Sequence, residues 1–244
     1  MKIFRALGVP TAADSATPPV TAIVVAAGRS ERMGFDKQMA RLGDVPVLAR
    51  TLSVFERSRT VSRVIVVTRP RGIPAVASMI REFGFTKAEH IVAGGATRQR
   101  SVSLGVELAP DAAYIAIHDG ARPLVTPECV DRVAQAAFRS QAAAAAVPIR
   151  DTVKRSDDAG LVTATPDRRN LWLVQTPQVF EAGLYRRALA HAQQEQADYT
   201  DDCQLVEAIG GQVQLVQGEY FNVKLTTQSD IPLAETILRM RGEL

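Results

Sequence analysis

Short, unbroken apolar runs alternate with helical stretches along this chain, and that alternation constrains the fold more than any other feature. Thr21–Ala26, Arg63–Thr68 and Tyr114–His118 are nearly continuous in Val, Ile and Ala, and Ile91-Val92 is a shorter run of the same kind. Such runs mark strands buried on both faces, because a half-exposed strand would alternate apolar with polar residues. Between them, Val45–Arg57 has helical spacing, with Val47, Leu48, Leu52 and Phe55 on one side. Ile73–Phe83, with Pro74 in its first turn, and Thr97–Leu108 read as further helices. Thr126-Pro127-Glu128 opens another that runs to about Arg139. Strands alternating with helices predict an α/β domain built on a doubly wound, mostly parallel sheet. Ligands bind beyond the carboxyl ends of the strands in such sheets, so the loops that matter are 27–37, 94–101, 119–123 and 222–226.

Two segments break this rhythm. Ala142–Ala146 favours helix by composition, but it is short, ends in Val147-Pro148 and follows a finished helix, so it is read as a strand. Residues 151–175 are charged and turn-rich, with only short β-prone pieces at Thr152-Val153 and Leu171-Trp172-Leu173. A segment that cannot form its own core is expected to reach toward another subunit. From Ala182 the pattern resumes: helices near 182–196 and 201–209, a strand at Val213–Val216 and a last helix at Ile231–Met240. Residues 1–19 read as a flexible extension ahead of one domain spanning 20–244.

Composition narrows the classes. With 46% hydrophobic and 23% charged residues, the chain has the balance of an ordinary globular domain. No run approaches the ~20 apolar residues of a membrane span. A net charge of +3 suits small anionic ligands. The basic residues are spread over several loops and only 5% of residues are aromatic, so no nucleic-acid surface is expected. Cys129 and Cys203 lie far apart with no CxxC, which predicts free thiols and a cytoplasmic protein.

The loops carry the chemistry. In Ala26-Ala27-Gly28 and the residues after it, a glycine lets backbone approach a ligand, and Arg29, Arg32 and Lys37 stand ready for a polyanion. P-loop, dinucleotide and serine-hydrolase spacings all fail here. Gly94-Gly95 leads into a helix start bearing Thr97, Arg98 and Arg100, again suited to an anion. In His118-Asp119-Gly120-Ala121-Arg122-Pro123, Asp119 can hold Mg²⁺ beside phosphates and Arg122 can fork onto one. His118 lacks a second histidine at metal spacing and reads as structural, while His90 and His191 read as surface residues. Lys224, flanked by Asn222 and Thr226, can close the site opposite the first loop.

Taken together and in this order, AAGRSERMG…DKQ (26–38), GGATRQRSV (94–102), HDGARP (118–123), RDTVKR (150–155), DRRNLW…QTPQ (167–178), TDD (200–202) and NVK (222–224) resemble the 2-C-methyl-D-erythritol 4-phosphate cytidylyltransferase family over about residues 20–240. The resemblance implies a Rossmann-like nucleotidyltransferase that joins CTP and the sugar phosphate in non-mevalonate isoprenoid synthesis, releasing pyrophosphate. It implies that Arg32 and Lys37 stabilise the transition state and that Arg168 and Lys224 position the attacking phosphate. Ala26, Ala27, Gly28, Gly94, Gly95 and Ser101 would hold the nucleotide. Asp119 would sit at Mg²⁺, and Arg122, Thr152 and Thr200 would join Arg168 and Lys224 around the sugar phosphate. It further implies that the 151–175 segment is a β arm crossing into a homodimer partner's site. Ser30, Asp36 and Ala96 depart from the family pattern, and Ala96 removes a carboxylate that often contacts the nucleotide. Two other readings stay open on the residues: the same reaction on another polyol phosphate such as ribitol 5-phosphate, or a nucleotide-binding protein without catalysis. HDGARP with DRRNLW favours methylerythritol phosphate, and the retained Arg32, Lys37, Asp119 and Lys224 favour an enzyme.

Overall fold

The structure, a computed structural model, describes residues 18–28 and 38–244. The leading 17 residues and the stretch 29–37, with Arg32 and Lys37, lie outside the described residues. The chain runs β1 (Val20–Ala26), a small hairpin of β2 (Arg41–Leu42) and β3 (Val45–Pro46), α1 (Val47–Arg57), β4 (Val61–Thr68), α2 (Ile73–Phe83), β5 (Ala88–Ala93), α3 (Arg98–Glu107) and β6 (Tyr114–Asp119). It continues with α4 (Pro127–Ser140), β7 (Ala142–Pro148), a second hairpin of β8 (Arg155–Ser156) and β9 (Val162–Ala164), β10 (Trp172–Glu181), α5 (Ala182–Gln194), α6 (Asp202–Ala208), β11 (Gln214–Gln217) and α7 (Asp230–Met240).

Seven strands form one sheet in the order β11-β7-β10-β6-β1-β4-β5. The β6-β1-β4-β5 and β11-β7 pairs are parallel, and only β10 runs antiparallel to its neighbours β6 and β7. Side chains alternate across the sheet. Val20, Ala22, Val24 and Ala26 face a layer with α1, α2 and α4, while Ile23, Ile65 and Ile117 face α3, α5 and α6. Both faces are therefore covered, which is why these strands lack polar alternation. A smaller core joins α7 to Leu42, Leu124 and Leu225. Helix α3 shows why its apolar face looked incomplete. A Cβ at Gly105 would stand 2.6 Å from Ile23 Cγ2, so the helix rides directly on β1 where a side chain would hold it off.

The alanine run is a strand, as its position required. All five alanines are fully buried between β10 and β11, and burial in the sheet overrides alanine's helical preference. Two expectations need correction. The helix expected from Val45 starts at Val47, because Val45-Pro46 pairs with Arg41-Leu42 as a hairpin. The irregular segment expected to last to Gln175 ends at Trp172, where the ten-residue β10 enters the sheet. The polar centre Gln175-Thr176-Pro177-Gln178 hid this strand. The ladder shifts register between Val174 and Gln178, and Gln175, Thr176 and Gln178 are buried with their side chains bonded to the Glu219 carbonyl, to His118 of β6 and to the Asp202 N–H at the start of α6.

Candidate active site

Strands β4 and β6 leave β1 on opposite sides, so their connections depart to opposite faces and open a crevice at the carboxyl end of β1. Register fixes what meets there: Val25 lies beside Asp119, and the Gly120 N–H donates to the Val25 carbonyl at 2.8 Å. Ala27 and Gly28 therefore emerge next to Asp119. The β5 loop closes on them from the other side. A Cβ at Gly94 would sit 2.4 Å from the Ala27 Cβ and 2.8 Å from Ser101 Oγ, so only glycine allows this approach. The buried Ser101 hydroxyl accepts from the Gly95 N–H at 3.1 Å and donates to the Thr97 carbonyl at 2.8 Å, tying the glycine pair to the start of α3. A cleft of about 300 Å³ results, lined by Ala27, Gly28, Gly95, Ser101, Asp119 and Lys224 together with Ala96, Thr97 and Arg98. Of the expected nucleotide residues, Ala26 is buried beneath it and Gly94 lies behind Gly95.

Three cations converge on Asp119, which is only 7% exposed. Lys224 Nζ lies 2.9 Å and Arg122 Nε 3.3 Å from Oδ2, and Arg98 Nε lies 3.4 Å from Oδ1. Burial by itself would raise the Asp119 pKa, but Lys224, Arg98 and Arg122 overcome it and hold the carboxyl well below the usual range. Asp119 is thus a carboxylate at any working pH. Arg122 also donates to the Asn222 carbonyl at 2.8 Å, joining the β6 loop to the loop that carries Lys224.

His118 is structural, as the sequence implied. Burial pushes its imidazole down to about 3, so it is neutral. Its Nε2 is 3.2 Å from the Arg122 carbonyl, which can only accept, so Nε2 carries the proton. Nδ1 then accepts from the Thr176 hydroxyl at 3.0 Å, and that hydroxyl accepts the Asp119 N–H at 3.1 Å. His118 and Thr176 together clamp both ends of the 119–122 turn.

Sequence reading missed the far side of Arg98. Its Nη1 lies 2.7 Å from Oδ2 of Asp202, a carboxylate 1% exposed, whose Oδ1 accepts from the Tyr185 hydroxyl at 2.7 Å. Burial raises the Asp202 pKa and the Tyr185 pKa, while Asp202 and Asp119 together outweigh the desolvation of Arg98 and hold it firmly protonated. The available signal was the doubled acid in Thr200-Asp201-Asp202. Asp201 caps α6, which left Asp202 spare for another task.

Thr200, Thr152 and Arg168 are not among the residues that line this cleft. Thr200 is exposed, and its hydroxyl donates to Gln204 Oε1 at 3.1 Å. Thr152 and Arg168 are exposed on the segment between β7 and β10, where the Arg168 guanidinium donates to the Arg150 carbonyl. Among the described residues no three metal-ligating side chains gather. Asp119 is the carboxylate on the cleft wall, a donor set that fits a cation arriving with nucleotide phosphates, since Mg²⁺ is usually held by one or two carboxylates plus substrate oxygens.

A cleft of about 300 Å³ at a sheet's switch point, walled by glycine backbone and fixed cations, is what a nucleotidyltransferase requires. The family model of IspD, 2-C-methyl-D-erythritol 4-phosphate cytidylyltransferase, matches residues 20–240, and the chain belongs to that family. It is an enzyme, a cytidylyltransferase of the non-mevalonate isoprenoid route. A curated relative of that name from Geobacter metallireducens is 46% identical over 227 residues, covering 90% of this chain and 97% of its own. Another, from Alkaliphilus metalliredigens, is 40% identical over 92% of this chain and 95% of its own. Among solved structures, the 4-diphosphocytidyl-2C-methyl-D-erythritol synthase of Anaerococcus prevotii superposes with a TM-score of 0.82 at 30% identity, covering 91% of this chain and 97% of that one.

Proposed function

We propose that the chain transfers the cytidylyl group of CTP to 2-C-methyl-D-erythritol 4-phosphate at this cleft, releasing pyrophosphate. The observation that carries the reading is the convergence of Arg98, Arg122 and Lys224 on Asp119 beside the glycine-lined crevice. The acceptor's phosphate oxygen is already an anion, so the reaction needs no base to make a nucleophile. Its barrier is electrostatic: one anion must approach the α-phosphorus of another while charge builds on the nonbridging oxygens and the departing pyrophosphate. Fixed cations offset that charge without reorganising during the step.

In this scheme the backbone of Ala26, Ala27 and Gly28, with Gly94, Gly95 and Ser101, seats the nucleotide. Arg32 and Lys37 act on the α-phosphorus and the leaving group. Lys224 and Arg122, held beside Asp119, face the acceptor phosphate, with Thr200 at its edge. Asp119 would hold a Mg²⁺ arriving with the nucleotide, which would neutralise the triphosphate further.

Arg168 and Thr152 complete the acceptor pocket of a second copy. The 151–171 arm exposes Leu161 and Val162 at 68% and 61%, with Leu173 at 55% beside its root, apolar surface suited to a homodimer contact. No helix among the described residues is long and apolar enough to cross a membrane, and a cytoplasmic enzyme is the reading we adopt.

The test is pyrophosphate release from CTP against a panel of polyol phosphates. Release with methylerythritol 4-phosphate well above that with ribitol 5-phosphate is expected. Equal release would reassign the acceptor, and CTP binding without release would remove the catalytic reading.

A further inference from the structure

The arm leaves the body at a single root, and the root is built on one exposed ring. Ile149 N–H donates to the Leu171 carbonyl at 3.0 Å, closing the two strands of the arm where they meet the sheet. Beyond that point the Arg168 guanidinium donates to the Arg150 carbonyl, so the placement of Arg168 follows that of Arg150. The Arg150 guanidinium carbon lies over the ring of Tyr220, 3.4 Å from its centroid, and the Tyr220 hydroxyl donates to the Pro148 carbonyl at 2.9 Å. Tyr220 thus holds the arm twice, by its face and by its hydroxyl, although it is 38% exposed.

The platform itself cannot drift. One residue before it, the Glu219 carbonyl accepts from Gln175 Nε2 at 2.9 Å. Two residues after it, buried Asn222 donates from Nδ2 to the Thr176 carbonyl at 2.8 Å and accepts at its own carbonyl from Arg122. Lys224 follows, 2.9 Å from Asp119. The loop that supplies Lys224 to one cleft therefore also sets the departure of the arm.

We infer that Tyr220 is a positioning residue for the acceptor pocket of the opposite subunit: through Arg150 it aims Arg168 at the second copy's cleft. This rests on the shared-site reading above. A guanidinium over an aromatic face gains from the ring's negative quadrupole while staying hydrated at its edge, so the contact fixes direction without needing burial.

Hybrid dimers isolate the effect. Pairing a Lys37→Ala protomer with an Arg168→Ala protomer, each with a different affinity tag, rebuilds one site from the first protomer's arm and the second's cleft. Adding Tyr220→Ala to the Lys37→Ala protomer alters an arm whose own cleft is already dead. There it is expected to raise the acceptor KM at least tenfold, with the CTP KM unchanged. The same substitution on the Arg168→Ala protomer should leave the rebuilt site within about twofold, because that protomer's arm no longer matters. Tyr220→Phe, which keeps the ring, should retain most of the activity and guards against a folding defect in the alanine variant. Equal losses in both placements, or none in either, would overturn the inference. No activity in the starting hybrid, with the unsubstituted dimer active, would instead remove the shared-site reading and this inference with it.

Discussion

Asp119 and Arg168 are both expected site residues, yet they stand in opposite surroundings. Asp119 is buried among Lys224, Arg122 and Arg98, with its N–H held by Thr176. Arg168 is exposed on the arm, and its guanidinium donates to a backbone carbonyl of the arm's own root. The first environment is organised before any ligand arrives, which is where electrostatic catalysis gains most. The second is exposed, and in the homodimer we propose, it serves a cleft that its own chain does not provide. A site split in this way would tie activity to assembly: the body would set the charge, and a partner would supply the grip.

The comparison can be broken most forcefully at the charge side. Lys37→Ala should lower kcat by roughly 10²–10³, the cost of removing one preplaced group from a developing charge, with an unchanged circular dichroism spectrum. Near-normal turnover would detach Lys37 from the chemistry. Asp202→Ala sharpens the same half. It strips Arg98 of its buried partner and should cost about 3–5 kcal/mol of stability, measured as a lower urea midpoint. A loss under about 1 kcal/mol would mean that Arg98 is held by Asp119 alone.

On the arm side, Arg168→Ala should raise the acceptor KM by roughly 10- to 100-fold, as for a lost charged hydrogen bond. The urea midpoint should barely move, since the side chain is exposed and its hydrogen bond to the Arg150 carbonyl lies at the surface. The smallest effect probes the clamp beneath Asp119. The His118 pKa is lowered to about 3 in the fold and is near 6.5 when exposed. Between those values the unfolded chain binds a proton that the folded chain refuses. Stability is therefore full above pH 6.5 and falls as pH drops toward 3. The drop from pH 7 to pH 5 should be about 2 kcal/mol from this group, and His118→Gln should remove that slope.

Much of the body was legible in the sequence. β1, β4 and β6 announced themselves as apolar runs because both faces are covered, and the loop after β1, the loop after β5 and the end of β6 bring Gly28, Gly95 and Asp119 into one cleft. The hydrophobic signal failed where polar side chains are buried for a purpose. β10 passes through Gln175, Thr176 and Gln178, whose amides and hydroxyl hold Asn222, His118 and Asp202 in place. Such a strand has no periodicity to read, because tertiary hydrogen bonds offset its burial. Arg98 was legible as a cation at a helix start, but its partners lie 21 and 104 positions away in the chain, and no local pattern announces them. Tyr220 carries no sequence signal at all, because its partner Arg150 comes to it only through the fold.

The division between body and arm is tested most directly by mixing Lys37→Ala with Arg168→Ala subunits, each inactive or nearly so alone. Purified heterodimers should regain pyrophosphate release approaching one working site of two, as a twofold assembly with exchanged arms requires. Verified heterodimers that stay silent, beside an active unsubstituted dimer, would contradict it.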